Sequence, residues 1–265
     1  MNQAVAPKAR PEFVLAVGDC VVLIRRSLRH LTRNVDEVIQ SVVLPVMLLL
    51  LFRYLFGGAI QTGGPSYVNY VIAGVIVVSI AFSASATAVG VADDLRNGIV
   101  ERFRTMPMFS SAMLVGHVVS AVLRNVLAVT LVVLVGLLVG FRPSASLGDW
   151  LVACGLLLLF STAISWLATL LGLLAGGVEA AGGYAMILVF FPYASSALVP
   201  SESMPSALRA FVENQPFTPI VNAVRGLLIG TPTGNSVMLS VVWWLPVLAL
   251  TVIFTVRYFR RHTGK

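Results

Sequence analysis

The sequence predicts an all-α integral membrane protein with six transmembrane helices. Only 11% of its 265 residues are charged, whereas an average soluble domain has about 25%. Hydrophobic residues make up 58% of the chain, and the mean hydropathy is +0.92. A water-exposed shell cannot be built from the remaining residues, so a soluble enzyme, a disordered protein and a disulfide scaffold are excluded.

Six apolar stretches are long enough to cross a bilayer, which takes about 20 helical residues. They are residues 38–57, 68–91, 115–140, 150–174, 179–199 and 236–258. The sequence therefore predicts three parts: a cytoplasmic N-terminal segment at 1–37, a transmembrane domain at 38–258 and a basic cytoplasmic tail at 259–265.

The Lys and Arg residues predict the orientation, because cytoplasmic loops carry the excess of positive charge. Thirteen of the 18 lie in the N-terminal segment, the second loop and the tail, and three lie in the loops on the other side. Both termini are therefore predicted to be cytoplasmic in a multi-pass protein. Basic residues beside apolar runs favour this interpretation over a nucleic-acid partner.

Residues 20–33 form an amphipathic pattern before the first span. At 100° per residue, Cys20, Ile24 and Leu28 share one face, and Arg25 and Arg29 lie on the opposite face. This pattern predicts an interfacial helix in contact with membrane lipids, which is a simple anchor if it has no further role.

The second loop, at 93–107, is patterned as a short helix. Asn97 is a suitable N-cap, Ile99 and Phe103 begin an apolar stripe, and Pro107 ends the helix. Such an element favours docking by a protein partner. The alternative is a solvated reversal between two spans.

The connection at 200–235 is predicted to be extracellular but is strongly apolar. Two apolar stripes, around Leu208 and Val224, are separated by Pro216 and end at Gly230. The pattern predicts two re-entrant helices in the outer leaflet. Arg225 is then a lipid anchor or a gate at the outer end of a central path.

Other functional classes lack the residues that they need. A lipid-modifying enzyme needs acids, bases or metal ligands in a buried cleft, and His30, His117 and His262 have no ligand-like spacing. An ion-coupled carrier is disfavoured because no carboxylate lies at the centre of a predicted span. We predict no metal site and no catalytic residue.

Several stretches resemble a known family when taken in order. They are residues 33–58, 98–107, 179–181, 195–200 and 215–228. The set resembles the permease subunit of type-2 ABC exporters, and most closely its daunorubicin/doxorubicin-resistance branch. The resemblance implies a half-transporter with an interfacial helix, six spans, a coupling helix at about 97–105 and re-entrant helices at about 200–235.

The resemblance also implies partners. The permease pairs with an identical or related second permease and binds two copies of an ATP-binding subunit, which carry ATP and Mg. No phosphate-loop motif occurs in this sequence, so no cofactor is expected on it. The residues implied to contact the ATP-binding subunit are Asp94, Gly98, Glu101, Arg102, Phe103, Arg104 and Glu179.

The substrate expected from the resemblance is an amphipathic drug or a lipid-like molecule, exported across a bacterial-type cytoplasmic membrane. A glycolipid or polysaccharide remains an alternative. The second and fifth spans are implied to line the path at the seam between two permeases. Candidate path residues are Phe82, Met186, Phe190, Tyr193 and Arg225.

Overall fold

The computed structural model describes residues 35–57, 66–97 and 112–263. The described residues form helices and connecting turns, with no strand among them. The predicted interfacial helix at 20–33 and residues 98–105 of the predicted coupling helix lie outside the described residues.

Eight α-helices follow one another along the described ranges. They are α1 (Val35–Leu51), α2 (Tyr67–Arg96), α3 (Ala112–Leu138), α4 (Leu147–Leu174), α5 (Val178–Tyr193), α6 (Ser206–Glu213), α7 (Phe217–Ile229) and α8 (Ser236–Thr263). A π-helical turn, Phe52–Phe56, extends α1, and a 3₁₀ turn, Ser201–Ser203, precedes α6. The tail predicted at 259–265 is helical through Thr263.

Four of the described helices are long and apolar enough to cross a membrane, namely α2, α3, α4 and α8. Helices α1 and α5 contribute shorter apolar segments, Val42–Leu55 and Val178–Tyr193. The structure therefore confirms an all-helical membrane protein but not the count of six spans.

The fifth predicted span, 179–199, is wrong in extent. Helix α5 has 16 residues and is about 24 Å long at 1.5 Å per residue, short of the roughly 30 Å of a bilayer core. Pro192 lies in its last turn and lacks a backbone donor. The chain then leaves the helix at Ala194, and other elements satisfy its carbonyl groups.

Helix α2 is the centre of the bundle. It packs against α3, α4, α5 and α7, and its residues from Val71 to Val78 are almost completely buried. Its lack of charged residues between Tyr67 and Ala92 explains how it can be surrounded by other helices. We call its two ends the Tyr67 end and the Asp94 end of the bundle.

The two predicted re-entrant helices correspond to α6 and α7, but they differ in burial. Helix α7 ends at Gly230, whose φ of 68° is left-handed, so the predicted stop is confirmed. Nearly all of α7 is buried against α2, α4 and α8. In α6 the described burial is limited to Val212. Helix α7 is thus enclosed by the bundle, and the re-entrant position of the two helices in the outer leaflet stays a prediction.

Candidate functional site

Residues 194–200, which we call the α5–α6 segment, are buried or half-buried at the Tyr67 end of the bundle. It is irregular backbone inside a helical protein, where each carbonyl group needs a donor. Side chains from α2 and α7 supply several. The Tyr67 hydroxyl donates to Leu198 O at 3.0 Å and the Tyr70 hydroxyl to Ser196 O at 2.9 Å.

Arg225 connects the α5–α6 segment to α2. Its Nη2 donates to Ser196 O at 2.6 Å, its Nε to Tyr70 O at 2.9 Å, and its Nη1 to Asn222 Oδ1 at 2.9 Å. The guanidinium also lies over the Tyr70 ring, with Cζ 3.7 Å from the ring centroid. Arg225 is thus held by carbonyl dipoles and a π face.

Arg225 is buried inside the bundle. The residue is 9% exposed, and within the described ranges no carboxylate lies at ion-pair distance from it. The predicted roles of Arg225, as a lipid anchor or as a gate at the outer end of a path, stay predictions. We call Arg225, Tyr67, Tyr70 and Asn222 the Arg225 clamp.

Two further contacts fix the ends of this region. The Gln215 Nε2 donates to Ala194 O at 2.7 Å. The Trp244 indole donates to Pro216 O at 3.2 Å and packs edge-on against Phe160 and Phe217. Helix α7 is therefore anchored at its N-terminus to α8 and α4 as well as to α2.

Gly74 permits the close approach of α2 to the α5–α6 segment. A methyl group on Gly74 would lie 1.9 Å from the carbonyl oxygen of Ala197. We expect Gly74→Ala to lower the free energy of unfolding by about 1–3 kcal/mol through overpacking. Thermal unfolding in detergent measures this effect.

The matched control for Gly74→Ala is Gly155→Ala in α4. A methyl group on Gly155 meets nothing within 4 Å. This change should leave the stability unchanged or raise it by up to about 1 kcal/mol through helix propensity. Equal melting temperatures for the two variants would contradict the close approach.

Helix α5 has one packed and one open side. Ala181, Ala185 and Val189 are buried toward α2. Met186, Ile187 and Phe190 are exposed, and Phe190 has 63% of its surface accessible. The open side is an apolar surface on the helix next to the Arg225 clamp.

The Asp94 end has a different set of polar contacts. The Asp94 carboxylate on α2 lies 2.9 Å from His117 Nε2 on α3. Deeper in the bundle, Asn125 donates to Ser161 Oγ at 2.8 Å. Both contacts join neighbouring helices across their packed faces.

Comparison with known proteins gives the family of the chain. Residues 19–229 match the ABC-2 type transporter family, which covers well over half of the sequence. The chain belongs to the ABC-2 type transporter family. It is therefore a membrane permease of the ABC class, a kind of subunit that works with an ATP-binding partner.

Curated relatives of this ABC-2 permease agree with that assignment. The daunorubicin resistance ABC transporter permease protein DrrB1 of Streptomyces coeruleorubidus is 30% identical over 96% of this chain and 90% of its own length. A probable doxorubicin resistance ABC transporter permease protein, DrrC of Mycobacterium tuberculosis, is 21% identical over 93% of this chain. The resemblance inferred from the sequence is confirmed.

The structure brings some of the predicted path residues together and separates others. Met186, Phe190 and Tyr193 are exposed on α5, and Phe82 is half-buried on α2. Arg225 belongs to the buried clamp instead. The role of these five residues in a substrate path stays a prediction.

The predicted coupling residues are only partly described. Asp94 is directed at His117, and Glu179 is exposed in the first turn of α5. Gly98, Glu101, Arg102, Phe103 and Arg104 lie outside the described residues. In the part of the chain that is described, no three His, Cys, Asp or Glu side chains come together as a metal site.

The contacts of Tyr67, Tyr70, Gln215 and His117 were not predicted from the sequence. A partial signal existed for the two tyrosines, because Tyr and Trp are common at the ends of membrane helices. The sequence contains no comparable signal that a carbonyl group of the α5–α6 segment is their acceptor.

Proposed function

We propose that this ABC-2 permease is one half of an ATP-driven exporter that moves an amphipathic drug or lipid-like molecule out of a bacterial cell. The names of its curated relatives support the drug class. The observation that carries the proposal is the open apolar side of α5, which lies beside α2 and adjoins a tightly held segment at the Tyr67 end.

The proposed arrangement in the membrane has six crossings and cytoplasmic termini. The four long helices supply four of these crossings, and helices α1 and α5 supply the other two. Together with its π-helical turn, α1 runs from Val35 to Phe56, or about 30 Å at helical rise. The Asp94 end then faces the cytoplasm, as the distribution of Lys and Arg predicts.

In this proposal, the ATP-binding subunit exerts force on the permease at the Asp94 end of the bundle. Residues of about 97–105 form the coupling helix and bind the ATP-binding subunit, with Glu179 nearby. Two ATP-binding subunits hold ATP and Mg and close together, and this closure brings two permease copies into a new arrangement. A ligand shifts such an equilibrium only by favouring one of the two states.

The substrate path of the proposal lies between two permease copies. Phe82 of α2 and Met186, Phe190 and Tyr193 of α5 line it. Aromatic and thioether side chains adapt to varied apolar ligands. The Arg225 clamp keeps the outer end of α5 in position against α2.

A pair of phenylalanine variants tests this path. Phe190 on α5 is 63% exposed and Phe254 on α8 is 58% exposed. If Phe190 lines the seam and Phe254 faces lipid, we expect Phe190→Ala to reduce export of an amphipathic dye by about tenfold, since loss of one aromatic anchor costs more than about 1 kcal/mol. Dye efflux from cells that also express the ATP-binding subunit measures this.

Phe254→Ala is the control and should change efflux by less than about twofold, as expected for a substitution outside the site. Equal losses in the two variants, at equal protein levels in the membrane, would contradict the assignment of α5 to the path.

A further inference from the structure

At the Asp94 end, α2 and α3 are held together by two kinds of contact. The first is a small apolar cluster of Val91, Leu114 and Val118 with Trp166 and Phe259, separate from the main core. The second is the hydrogen bond between His117 and Asp94 at the edge of the cluster, where both side chains are about one-quarter exposed. The two contacts differ in how strongly they resist rotation of one helix against the other.

An apolar cluster keeps two helices close but does not fix how they are turned. Burial of apolar surface is non-directional, so small rotations or translations change it little. A hydrogen bond weakens steeply with distance and angle. Since one residue corresponds to 100° on a helix, the His117–Asp94 contact exists at one rotational setting of α2 and α3.

The His117 ring is placed by a local feature of α2. It lies against Gly90, where a methyl group would be 3.7 Å from the ring Cε1. Asp94 follows one helical turn later, so the ring rests on the backbone of α2 and reaches the carboxylate. Asp93, the neighbouring carboxylate, accepts instead from Asn97 on its own helix at 3.1 Å.

We infer that His117 and Asp94 are positioning residues that lock α2 and α3 into one mechanical unit, so that a push on the loop between them moves both helices together. This inference rests on the proposed function, in which the loop receives work from the ATP-binding subunit. Without the pair, the two helices turn against each other and part of the movement is lost. The pair therefore determines how much export each ATP produces, and ATP binding by the partner does not depend on it.

The test uses the full chain purified with its ATP-binding subunit and reconstituted in liposomes. The measured quantity is substrate moved per ATP hydrolysed. We expect Asp94→Ala and His117→Phe each to lower it about 3- to 10-fold, and the double variant to lose no more than either single variant, because the pair acts as a unit. His117→Phe keeps a ring over Gly90, which guards against loss of folding.

Two further variants distinguish a positioning role of the His117–Asp94 pair from a purely structural role. His117→Gln keeps a donor directed at Asp94 and should retain at least about half of the coupling ratio. Asp93→Asn removes the charge of the adjacent carboxylate but keeps an acceptor for the Asn97 side chain, and it should have no effect. The inference is overturned if Asp93→Asn matches Asp94→Ala, if the double loss is the product of the single losses, or if the single variants keep the wild-type ratio.

Phe103→Asp in the same assay distinguishes failure of the inference about His117 and Asp94 from failure of the proposed coupling. If Phe103→Asp uncouples transport while Asp94→Ala and His117→Phe do not, the inference fails and the proposed coupling stands. If Phe103→Asp keeps the wild-type ratio, the proposed coupling itself fails.

Discussion

Replacing Arg225 with alanine should be among the most destabilising single changes in this protein. The substitution removes three charge-assisted hydrogen bonds, to the carbonyl groups of Tyr70 and Ser196 and to the side chain of Asn222. Ser196 O and Asn222 Oδ1 keep hydrogen bonds from the hydroxyl groups of Tyr70 and Ser196, so the loss is that of the charged donor, and a hydrogen bond to a charged group contributes about 1.5–3 kcal/mol. We expect the free energy of unfolding to fall by about 3 kcal/mol or more and Tm by about 6–12 °C.

Arg225→Lys and Arg209→Ala serve as comparisons. Lysine keeps the charge but lacks the planar fork that reaches three acceptors, so its loss should lie between wild type and alanine. Arg209 on α6 is exposed and pairs with Glu213 at 2.8 Å. An exposed pair of this kind contributes less than about 1 kcal/mol. If Arg225→Ala unfolds no more easily than Arg209→Ala, the clamp is not a structural element.

The second large effect concerns the loop at 97–105. We expect Phe103→Asp and Glu101→Lys to leave the protein inserted in the membrane but to abolish most ATP-driven export. An aromatic anchor at a protein interface contributes about 2 kcal/mol or more, which corresponds to about a 30-fold loss of partner affinity. ATP-driven uptake of an amphipathic dye into inverted vesicles and co-purification of the ATP-binding subunit measure the two consequences.

Glu213→Lys is the matched charge reversal for Glu101→Lys. Glu213 is exposed at the Tyr67 end, away from the proposed contact, and the hydrogen bond from Arg209 lowers the pKa of its carboxyl group. Its reversal should leave export unchanged. Undiminished export in both Phe103→Asp and Glu101→Lys would refute the role of this loop.

The sequence predicted the helices whose signals are local. Long apolar runs with few charged residues correspond to α2, α3, α4 and α8, and Gly230 stops α7 where expected because only a residue without a side chain adopts its φ easily. The low content of charged residues was sufficient to predict a membrane protein. The five ordered stretches that resemble the family were sufficient to predict the family.

The errors arose where distant residues determine the structure. The apolar run at 179–199 continues past Tyr193, but the helix ends there, and Tyr70 and Arg225 satisfy a carbonyl group of the segment that follows. Hydropathy alone does not register these long-range donors. Arg225 was predicted at the outer end of a path for the same reason, since its burial depends on Asn222 and on carbonyl acceptors that lie 29 and 155 positions away along the chain.

The most direct test of the account is transport by purified protein in liposomes, with and without an ATP-binding subunit of the same exporter. The account predicts movement of an amphipathic dye only when both the partner and hydrolysable ATP are present, and none when the partner's phosphate-loop lysine is replaced. Dye movement at full rate by this chain alone would contradict it.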